Sequence, residues 1–273
     1  MAEPSKIPLP PLDGWALVLG ASSGFGAAAA LKLAQAGSDV IGVHLDRRAT
    51  MPNVEKLTQE IQALGRQAWF FNVNACDAEK RAEVLAEVQK RFTERGKGEK
   101  VRVLLHSLAF GTLKPLVAEQ SEELTQKQMD MTLDVMAHSL VYWVQDLLHR
   151  DLLRTDGRIF AMTSTGSSQV WAGYGAVSAA KAALESHCRQ LALELGPRGI
   201  TANAICAGVT DTPSMQKIPN AENLQSVAIR KNPSHRLTLP DDVANALVAL
   251  SQTCTYWLNG NVLFVDGGEA HAG

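Results

Sequence analysis

A tyrosine and a lysine seven residues apart are the residues whose types and spacing best suit chemistry. Tyr174 and Lys181 lie in a run with a helical pattern, where two turns of separation let both side chains project toward one face. A phenol near an ammonium is a suitable acid for a carbonyl or enolate oxygen, because the cation favours the phenolate form. The same ammonium can bind the ribose hydroxyls of a nucleotide. The pair therefore indicates an acid–base site beside a bound cofactor.

A glycine-rich turn near the start of the chain predicts a dinucleotide site. Gly20, Gly24 and Gly26 follow a short apolar run and open an alanine-rich helical pattern. We expect Gly20 to permit a tight turn, Gly24 to let the backbone approach a pyrophosphate, and Gly26 to let the helix pack on the sheet. The helix N-terminus supplies free N–H donors, and Ser22 and Ser23 add hydroxyl donors.

The residues after the second predicted strand bear on the choice between NAD and NADP. NAD sites usually place a carboxylate there for the ribose hydroxyls, whereas NADP sites offer Arg or Lys to the 2′-phosphate. The tip residue His44 is not acidic, and Arg47 and Arg48 follow within reach of a phosphate. Asp46 could accept ribose hydroxyls or pair with an arginine. We therefore predict NADPH, with NADH as the alternative, and assign His44, Arg47 and Arg48 to the cofactor site.

Apolar strand-like runs alternate with longer amphipathic runs along the chain. We predict strands at 15–19, 40–44, 68–73, 101–106, 158–163, 201–205 and 261–265. Helical patterns occupy 24–36, 54–64, 79–94, 123–153, 172–195 and 241–251. Strands that are apolar on both faces and separated by helices indicate a parallel sheet covered on both sides. The sequence therefore predicts a single-domain α/β fold, a doubly wound, Rossmann-like parallel sheet.

Two segments differ from this alternation. Residues 1–12 contain prolines at positions 4, 8, 10 and 11 and are predicted to form an extended leader, which places the catalytic domain at 13–273. Residues 207–236 carry prolines and asparagines, a weak helical pattern at 221–229 and no strand pattern. Ligands of open α/β sheets bind beyond the carboxyl ends of the strands, so this insertion predicts a substrate lid. A surface excursion without a role in binding is the alternative.

The composition excludes several classes of protein. The 273 residues are 46% hydrophobic and 20% charged, with a formal net charge of −2, which is typical of a folded globular chain. With a pI near 6.4, no dense basic stretch and no apolar run long enough to span a bilayer, neither nucleic acid nor membrane is an expected partner. The four cysteines form no CxxC motif and the histidines show no ligand spacing, which favours a cytoplasmic enzyme without a metal.

Taken together, these motifs resemble the short-chain dehydrogenase/reductase family from about residue 13 to 268. The resemblance rests on the turn at 20–26, the region from Ser164 to Lys181, the segment at 203–212 and the closing segment at 258–268. It implies an NAD(P)-binding fold and a homotetramer.

At four positions the chain departs from the usual family pattern, and these departures point to one branch of the family. Most members place tyrosine four residues before the lysine, where this chain has Val177, and the asparagine of the ketone-reducing proton relay is replaced by Met136. The segment 106–110 replaces Asn-Asn-Ala-Gly, and Ala207 replaces a proline. These changes are similar to the enoyl-acyl-carrier-protein reductase branch, and 109–116 and 218–224 are most similar to its NADPH-dependent type III members, the FabL group.

The resemblance implies a function and a set of site residues. The function is NADPH-dependent reduction of the C=C bond of trans-2-enoyl thioesters, carried on acyl carrier protein or CoA, in fatty acid biosynthesis. Catalytic roles fall to Tyr174, Lys181 and Ser164, and substrate contacts to Phe110, Tyr174 and Met215. The further cofactor contacts implied are Phe25, Asn74, Ala75, Ser107, Leu108, Ala109, Gly208, Val209, Thr210 and Thr212. The alternatives are a carbonyl or alcohol oxidoreductase of the 3-oxoacyl or hydroxysteroid type, and a non-catalytic NADP-binding protein.

Overall fold

The computed structural model of the chain describes residues 9–119, 122–218 and 220–272. Its strands are β1 (Trp15–Leu19), β2 (Asp39–His44), β3 (Ala68–Asn72), β4 (Val101–His106), β5 (Leu153–Thr163), β6 (Thr201–Ala207) and β7 (Val262–Val265). They form one sheet in the order β3-β2-β1-β4-β5-β6-β7, and all neighbouring pairs are parallel. The carboxyl ends of all seven strands therefore lie along the same edge of the sheet.

The helices cover both faces of the sheet. They are α1 (Gly24–Gln35), α2 (Met51–Ala63), α3 (Ala78–Arg95), α4 (Gln126–Leu133), α5 (Ser139–His149), α6 (Gly175–Leu195), α7 (Ala221–Lys231) and α8 (Pro240–Leu250). One core joins the sheet to α3, α5 and α6, and the other joins it to α1, α2 and α8. The predicted doubly wound α/β fold is confirmed. Within the described residues, no helix is long and apolar enough to span a bilayer.

The predicted helix at 123–153 is confirmed for residues 126–149 and is wrong at both ends. Thr125 caps the start of α4 with a capping box, a π-helical segment at Asp134–His138 follows α4, and α5 ends at His149. Asp151 has a φ of 53°, a left-handed conformation that ends the helical path. Leu153 begins β5 and lies opposite Val101 in the sheet, so the last apolar residues of this run are strand residues.

Two further predicted boundaries require correction. The helix predicted at 172–195 begins only at Gly175, because Gly173 adopts a φ of 73° that a helix cannot continue. Tyr174 therefore precedes the first residue of α6. The strand predicted at 201–205 continues to Ala207, so the first residue of the segment predicted as a lid pairs with β7. The other predicted strands and helices differ from the observed ones only at their ends.

The segment that leads into β1 is packed where the structure describes it. Residues 1–8 of the predicted leader lie outside the described residues. Leu12 is fully buried against α1, and its N–H donates to the Ala36 carbonyl at 2.7 Å. Gln252 donates from its side-chain amide to the Pro10 carbonyl at 3.1 Å. The chain is thus tied to the domain before Asp13, the boundary that the sequence predicts.

Close packing between the first turn and α1 makes Gly26 a sensitive position. An added Cβ would lie 2.0 Å from the Gly20 carbonyl oxygen, a backbone atom that cannot move aside. We expect Gly26→Ala to lower the free energy of unfolding by about 3 kcal/mol, measured by urea denaturation. At Gly196 an added Cβ makes only an ordinary contact at 3.6 Å, so Gly196→Ala is the control and should change stability little. Equal losses in the two variants would contradict the packing argument.

Candidate active site

The carboxyl ends of β4, β5 and β6 open into a cavity of about 260 Å³. Its walls are mostly apolar and include Phe110, Leu113, Met136, Trp171, Val177 and Met215. The segment after β6 forms one side of the cavity through a short 3₁₀ turn, Met215–Lys217, and through Leu224 of α7. An apolar cavity with a few polar groups at the strand ends is the usual form of a small-molecule site in this architecture.

Lys181 reaches this cavity from the second turn of α6. Its side chain is buried, and Nζ donates to the Met162 carbonyl oxygen of β5 at 2.6 Å. Burial lowers the pKa of the Lys181 ammonium to about 8, while the nearby Glu185 carboxylate opposes this shift. The carbonyl fixes one N–H, which leaves the other ammonium protons for a ligand.

Tyr174 lies at the N-cap of α6 and also lines the cavity. Its ring fits against Gly166, where an added Cβ would be 2.4 Å from Tyr174 Cε1 and 3.2 Å from Ser164 Oγ. Trp171 meets the ring edge-on, with centroids 5.7 Å apart. Burial raises the pKa of the Tyr174 phenol, with the Ser164 hydroxyl acting in the opposite direction. The phenol is therefore protonated at neutral pH and can act as a hydrogen-bond donor.

Ser164 and Thr163 at the end of β5 have different surroundings. The Ser164 hydroxyl is buried in the cavity wall and forms no hydrogen bond of normal geometry with any residue that the structure describes. Buried polar atoms usually have a partner, so this oxygen is free to bond a ligand. Thr163 Oγ1 instead donates to Glu185 Oε1 at 2.6 Å.

Met136 and Val177 occupy two of the four positions where the sequence departs from the family pattern. Met136 belongs to the π-helical segment, is 3% exposed, and packs with Val177 and Ala180 in the cavity wall. Gly111 lets the loop after β4 approach this cluster, because an added Cβ would lie 3.0 Å or less from Met136 and Val177. A thioether and an isopropyl group cannot hold a proton-relay water as an amide can.

The glycine-rich turn has the shape of an anion cradle. Gly20 has a φ of 87°, and an added Cβ would lie 2.4 Å from the Ser107 carbonyl oxygen. Gly24 has a φ of 52° and faces the Thr212 side chain. Ser23 is the N-cap of α1 but makes no side-chain cap bond, so the first-turn N–H groups lack that partner. These donors suit the pyrophosphate of a dinucleotide.

The end of β2 places a carboxylate beside this turn. His44 is 3% exposed, and its Nδ1 lies 2.9 Å from Asp46 Oδ2. Partial burial raises the pKa of the Asp46 carboxyl, but hydrogen bonds from Thr50, Ser22 and His44 outweigh burial and hold that pKa below its usual value. The His44 ring therefore has a protein partner. Arg47 and Arg48 are exposed, as a phosphate contact requires.

Asn72 has a positioning role that the sequence did not suggest. This last residue of β3 accepts from the Asp46 N–H at 2.9 Å and donates to the Asp46 carbonyl at 3.0 Å. It thereby fixes the backbone that carries Asp46 and the two arginines. Asn72 and Asp46 are 26 residues apart in the chain, so no local pattern could indicate the contact.

The structure brings together only part of the predicted site. Lining the cavity are Phe25, Ser107, Leu108, Ala109, Phe110, Ser164, Tyr174, Lys181, Gly208, Val209, Thr210, Thr212 and Met215. Outside its walls are Gly20, Ser22, Ser23, Gly24, Gly26, His44, Arg47, Arg48, Asn74 and Ala75. The Asn74 side chain accepts from the Cys76 N–H at 3.1 Å, and the buried Ala75 carbonyl accepts from Trp143 Nε1 at 2.8 Å. Both residues thus have bonds within the protein.

The last segment of the chain also supports the site. The Val209 N–H donates to both carboxyl oxygens of Glu269, at 3.3 and 3.2 Å. An added Cβ at Gly208 would lie 2.3 Å from Thr238 Oγ1. Burial raises the pKa of the Glu269 carboxyl, although the bond from Val209 opposes the shift. No local sequence pattern could indicate this contact, because Val209 and Glu269 are 60 residues apart.

Comparison with known proteins identifies the family. A family model described as enoyl-(acyl carrier protein) reductase matches residues 20–269. Over 93% of its length the chain is 30% identical to the protein named short chain dehydrogenase mdpC from Emericella nidulans, of which it covers 94%. The chain belongs to the short-chain dehydrogenase/reductase family. Membership implies an NAD(P)-dependent oxidoreductase, and the open cradle at the first turn fits such a cofactor.

Two further members of the family resemble this chain to different extents in sequence identity and in the share of the chain that they match. A partial match, 28% identical, joins 60% of this chain to 62% of the NADH-dependent enoyl-[acyl-carrier-protein] reductase FabI of Buchnera aphidicola. A solved dehydrogenase/reductase from Sinorhizobium meliloti is 26% identical and superposes with a TM-score of 0.81, covering 95% of this chain and 96% of that one. The fold and the family are thus common to proteins whose names denote different activities.

The different surroundings of Ser164 and Thr163 predict different costs of mutation. Ser164→Ala removes a hydroxyl that forms no hydrogen bond of normal geometry with a described residue, so the free energy of unfolding should change by less than about 0.5 kcal/mol. Thr163→Val removes the 2.6 Å bond to a carboxylate and should cost about 1.5 kcal/mol. Urea denaturation of the two neighbouring variants measures the difference. A loss for Ser164→Ala as large as that for Thr163→Val would show that Ser164 has a structural partner.

Proposed function

We propose that the protein reduces the C=C bond of trans-2-enoyl thioesters with NADPH, as an enoyl-acyl-carrier-protein reductase of fatty acid biosynthesis. The observation that carries the proposal is the apolar Met136 side chain in the cavity wall, at the position of the family's relay asparagine. Ketone reduction delivers a proton to oxygen in each turnover, so its tyrosine must be re-protonated through a relay. Enoyl reduction can take its proton at carbon and needs no such relay.

The cavity residues supply what this reaction needs. A bound NADPH would supply a hydride to the β-carbon of the substrate. Negative charge then accumulates on the thioester oxygen, to which the protonated phenol of Tyr174 donates a hydrogen bond. Lys181 adds positive potential and binds the nicotinamide ribose through the N–H groups that Met162 leaves free. Water protonates the α-carbon, so the Tyr174 phenol keeps its own proton.

The cavity walls suit an acyl chain. Phe110, Trp171 and Met215 are apolar and surround the space in front of Tyr174. Within the segment at 207–236, Ile218 and Leu224 add apolar contacts, which supports its assignment as a substrate lid. The thioester would be carried by acyl carrier protein or CoA. The proposal includes the homotetramer that the family resemblance implies and the cytoplasmic location that the cysteine pattern favours.

Charge at the end of β2 favours NADPH over NADH. The Arg47 and Arg48 side chains are exposed, and neither forms an ion pair with a residue in the described ranges. The Asp46 carboxylate already accepts from His44, and Thr50 and Ser22 also stabilise its charge. Fewer of its lone pairs remain for ribose hydroxyls, while both guanidinium groups remain for a 2′-phosphate.

A carbonyl or alcohol oxidoreductase is the second candidate. The similarity to mdpC spans nearly all of both chains, whereas the similarity to FabI spans 60% of this chain. A serine, a tyrosine and a lysine in one cavity would also serve a ketone. The two candidates differ in their substrate, so crotonyl-CoA and acetoacetyl-CoA distinguish them.

The hydroxyl of Tyr174 should be the main source of rate enhancement. We expect Tyr174→Phe to lower turnover of crotonyl-CoA about 100-fold or more, because one oxyanion donor stabilises the transition state by about 3 kcal/mol. NADPH oxidation followed at the nicotinamide absorbance band measures the rate. Tyr256 is exposed and does not line the cavity, so Tyr256→Phe is the matched control and should keep full activity.

The outcomes of this assay separate the candidates. Oxidation of NADPH with crotonyl-CoA alone supports enoyl reduction, and oxidation with acetoacetyl-CoA alone supports the second candidate. Binding of NADPH without oxidation by any thioester or ketone supports a non-catalytic role. Near-normal activity of Tyr174→Phe would show that the assignment of the acid is wrong.

Cofactor preference can be tested at the two arginines. The double substitution of Arg47 and Arg48 by alanine should weaken NADPH binding about 10-fold or more, because charge-assisted bonds to the 2′-phosphate are lost. NADH binding should change little. Fluorescence titration with both cofactors measures the effect, and Arg198→Ala at an exposed turn after α6 is the control. An equal loss for NADH and NADPH would exclude a 2′-phosphate contact.

A further inference from the structure

Two consecutive residues of β5 hold two side chains of α6. The Met162 carbonyl accepts from Lys181 Nζ at 2.6 Å, and the next residue, Thr163, donates from Oγ1 to Glu185 Oε1 at 2.6 Å. Lys181 and Glu185 are four residues apart, so they lie on the same face of the helix. The strand end thus fixes an ammonium and a carboxylate that lie one turn apart on the same face of α6. Glu185 itself does not line the cavity.

The surroundings of Lys181 offer little other negative charge. Among the described residues, the titratable groups close to Lys181 or Glu185 are His106 of β4, Cys206 of β6, and Tyr174 and Cys188 at α6. Burial lowers the pKa of His106 to about 3 and raises the pKa of both thiols to about 12, so these groups are neutral near pH 7. Tyr174 is protonated as well. Among these neighbours, Glu185 alone carries a full negative charge.

We propose that Glu185 is a positioning residue whose carboxylate, fixed by Thr163, keeps the buried Lys181 ammonium charged. Glu185 acts through Lys181 and does not touch the substrate. The inference rests on the proposed function, because it concerns the ammonium to which that function assigns the ribose and the oxyanion. A buried ammonium without a nearby carboxylate would lose its proton more readily.

The direction in which turnover changes with pH follows from the positive charge that Lys181 must carry. Lys181 is active when protonated, so turnover falls as pH rises through its pKa, and loss of Glu185 moves this fall to lower pH. The folded protein also holds Lys181 with a pKa of about 8, below the ordinary value of 10.5. Deprotonation therefore stabilises the fold relative to the unfolded chain as pH rises through this window. Without Glu185 this gain in stability begins at lower pH.

The test uses the full chain and one isosteric substitution. Glu185→Gln keeps the size of the side chain and an oxygen that accepts from Thr163, but it removes the charge. We expect it to lower the midpoint of the alkaline fall in turnover by about 1 pH unit, and to lower by a similar amount the pH at which the ligand-free protein begins to gain melting temperature. Glu194 is an exposed carboxylate on the same helix that accepts from Gln190, so Glu194→Gln is the control and should move neither profile.

A second substitution distinguishes an effect on the Lys181 charge from a general loss of folding. Thr163→Val keeps both charges but releases the carboxylate, and it should shift both profiles in the same direction by less than Glu185→Gln does. Unchanged midpoints in both variants, or a uniform loss of activity at every pH, would overturn the inference and leave Glu185 a purely structural role. The melting profile of the ligand-free protein needs no substrate. If crotonyl-CoA is not reduced, the proposed function fails, while the melting profile still decides the role of Glu185.

Discussion

The contact on which the site most depends is the bond between the buried Lys181 ammonium and the Met162 carbonyl. Moving an ammonium out of water costs several kcal/mol unless hydrogen bonds and nearby charge compensate. One strand residue supplies the bond, and Thr163 beside it fixes the carboxylate of Glu185. The ammonium is held in a cavity whose walls are mostly apolar, which is a pattern typical of a functional group.

The residues at and after the ends of β5 and β6 also determine which other groups line the cavity near the Lys181 ammonium. Tyr174 reaches the cavity because Gly173 turns the chain just before α6, and Gly166 leaves room for the phenol ring. On the far side, the loop at Gly208 and Val209 is fixed by Glu269 from the end of the chain. Contacts from distant parts of the sequence thus converge on one edge of the sheet. Further along the same segment after β6, Met215 and Leu224 add apolar side chains to the cavity wall.

The sequence predicted the architecture well, because the strands are short apolar runs separated by amphipathic helices. It also predicted that Tyr174 and Lys181 belong to one cavity, since their spacing and the glycine-rich turn are local patterns. It placed Tyr174 inside the helix, because a glycine with positive φ is not distinguishable from any other glycine in the sequence. It extended one helix through Leu153, because apolar residues of a buried strand and of a helix look alike in a short run.

Contacts between residues far apart in the chain were beyond prediction. Three hydrogen-bond contacts join segments that are distant in the sequence. They link Asn72 with Asp46, Thr163 with Glu185, and Val209 with Glu269. His44 was assigned to the cofactor by its position at a strand end, but the structure shows that its ring is buried against Asp46. Such pairings depend on register and crossover geometry, which one sequence does not specify residue by residue.

A crystal structure of the protein with NADP⁺ and a saturated acyl thioester tests the central claim most directly. The account predicts the Tyr174 hydroxyl within about 3 Å of the thioester oxygen, and the Lys181 ammonium at a similar distance from the nicotinamide ribose hydroxyls. A phenol turned away from the thioester, with the lysine bound to neither ligand, would contradict the account.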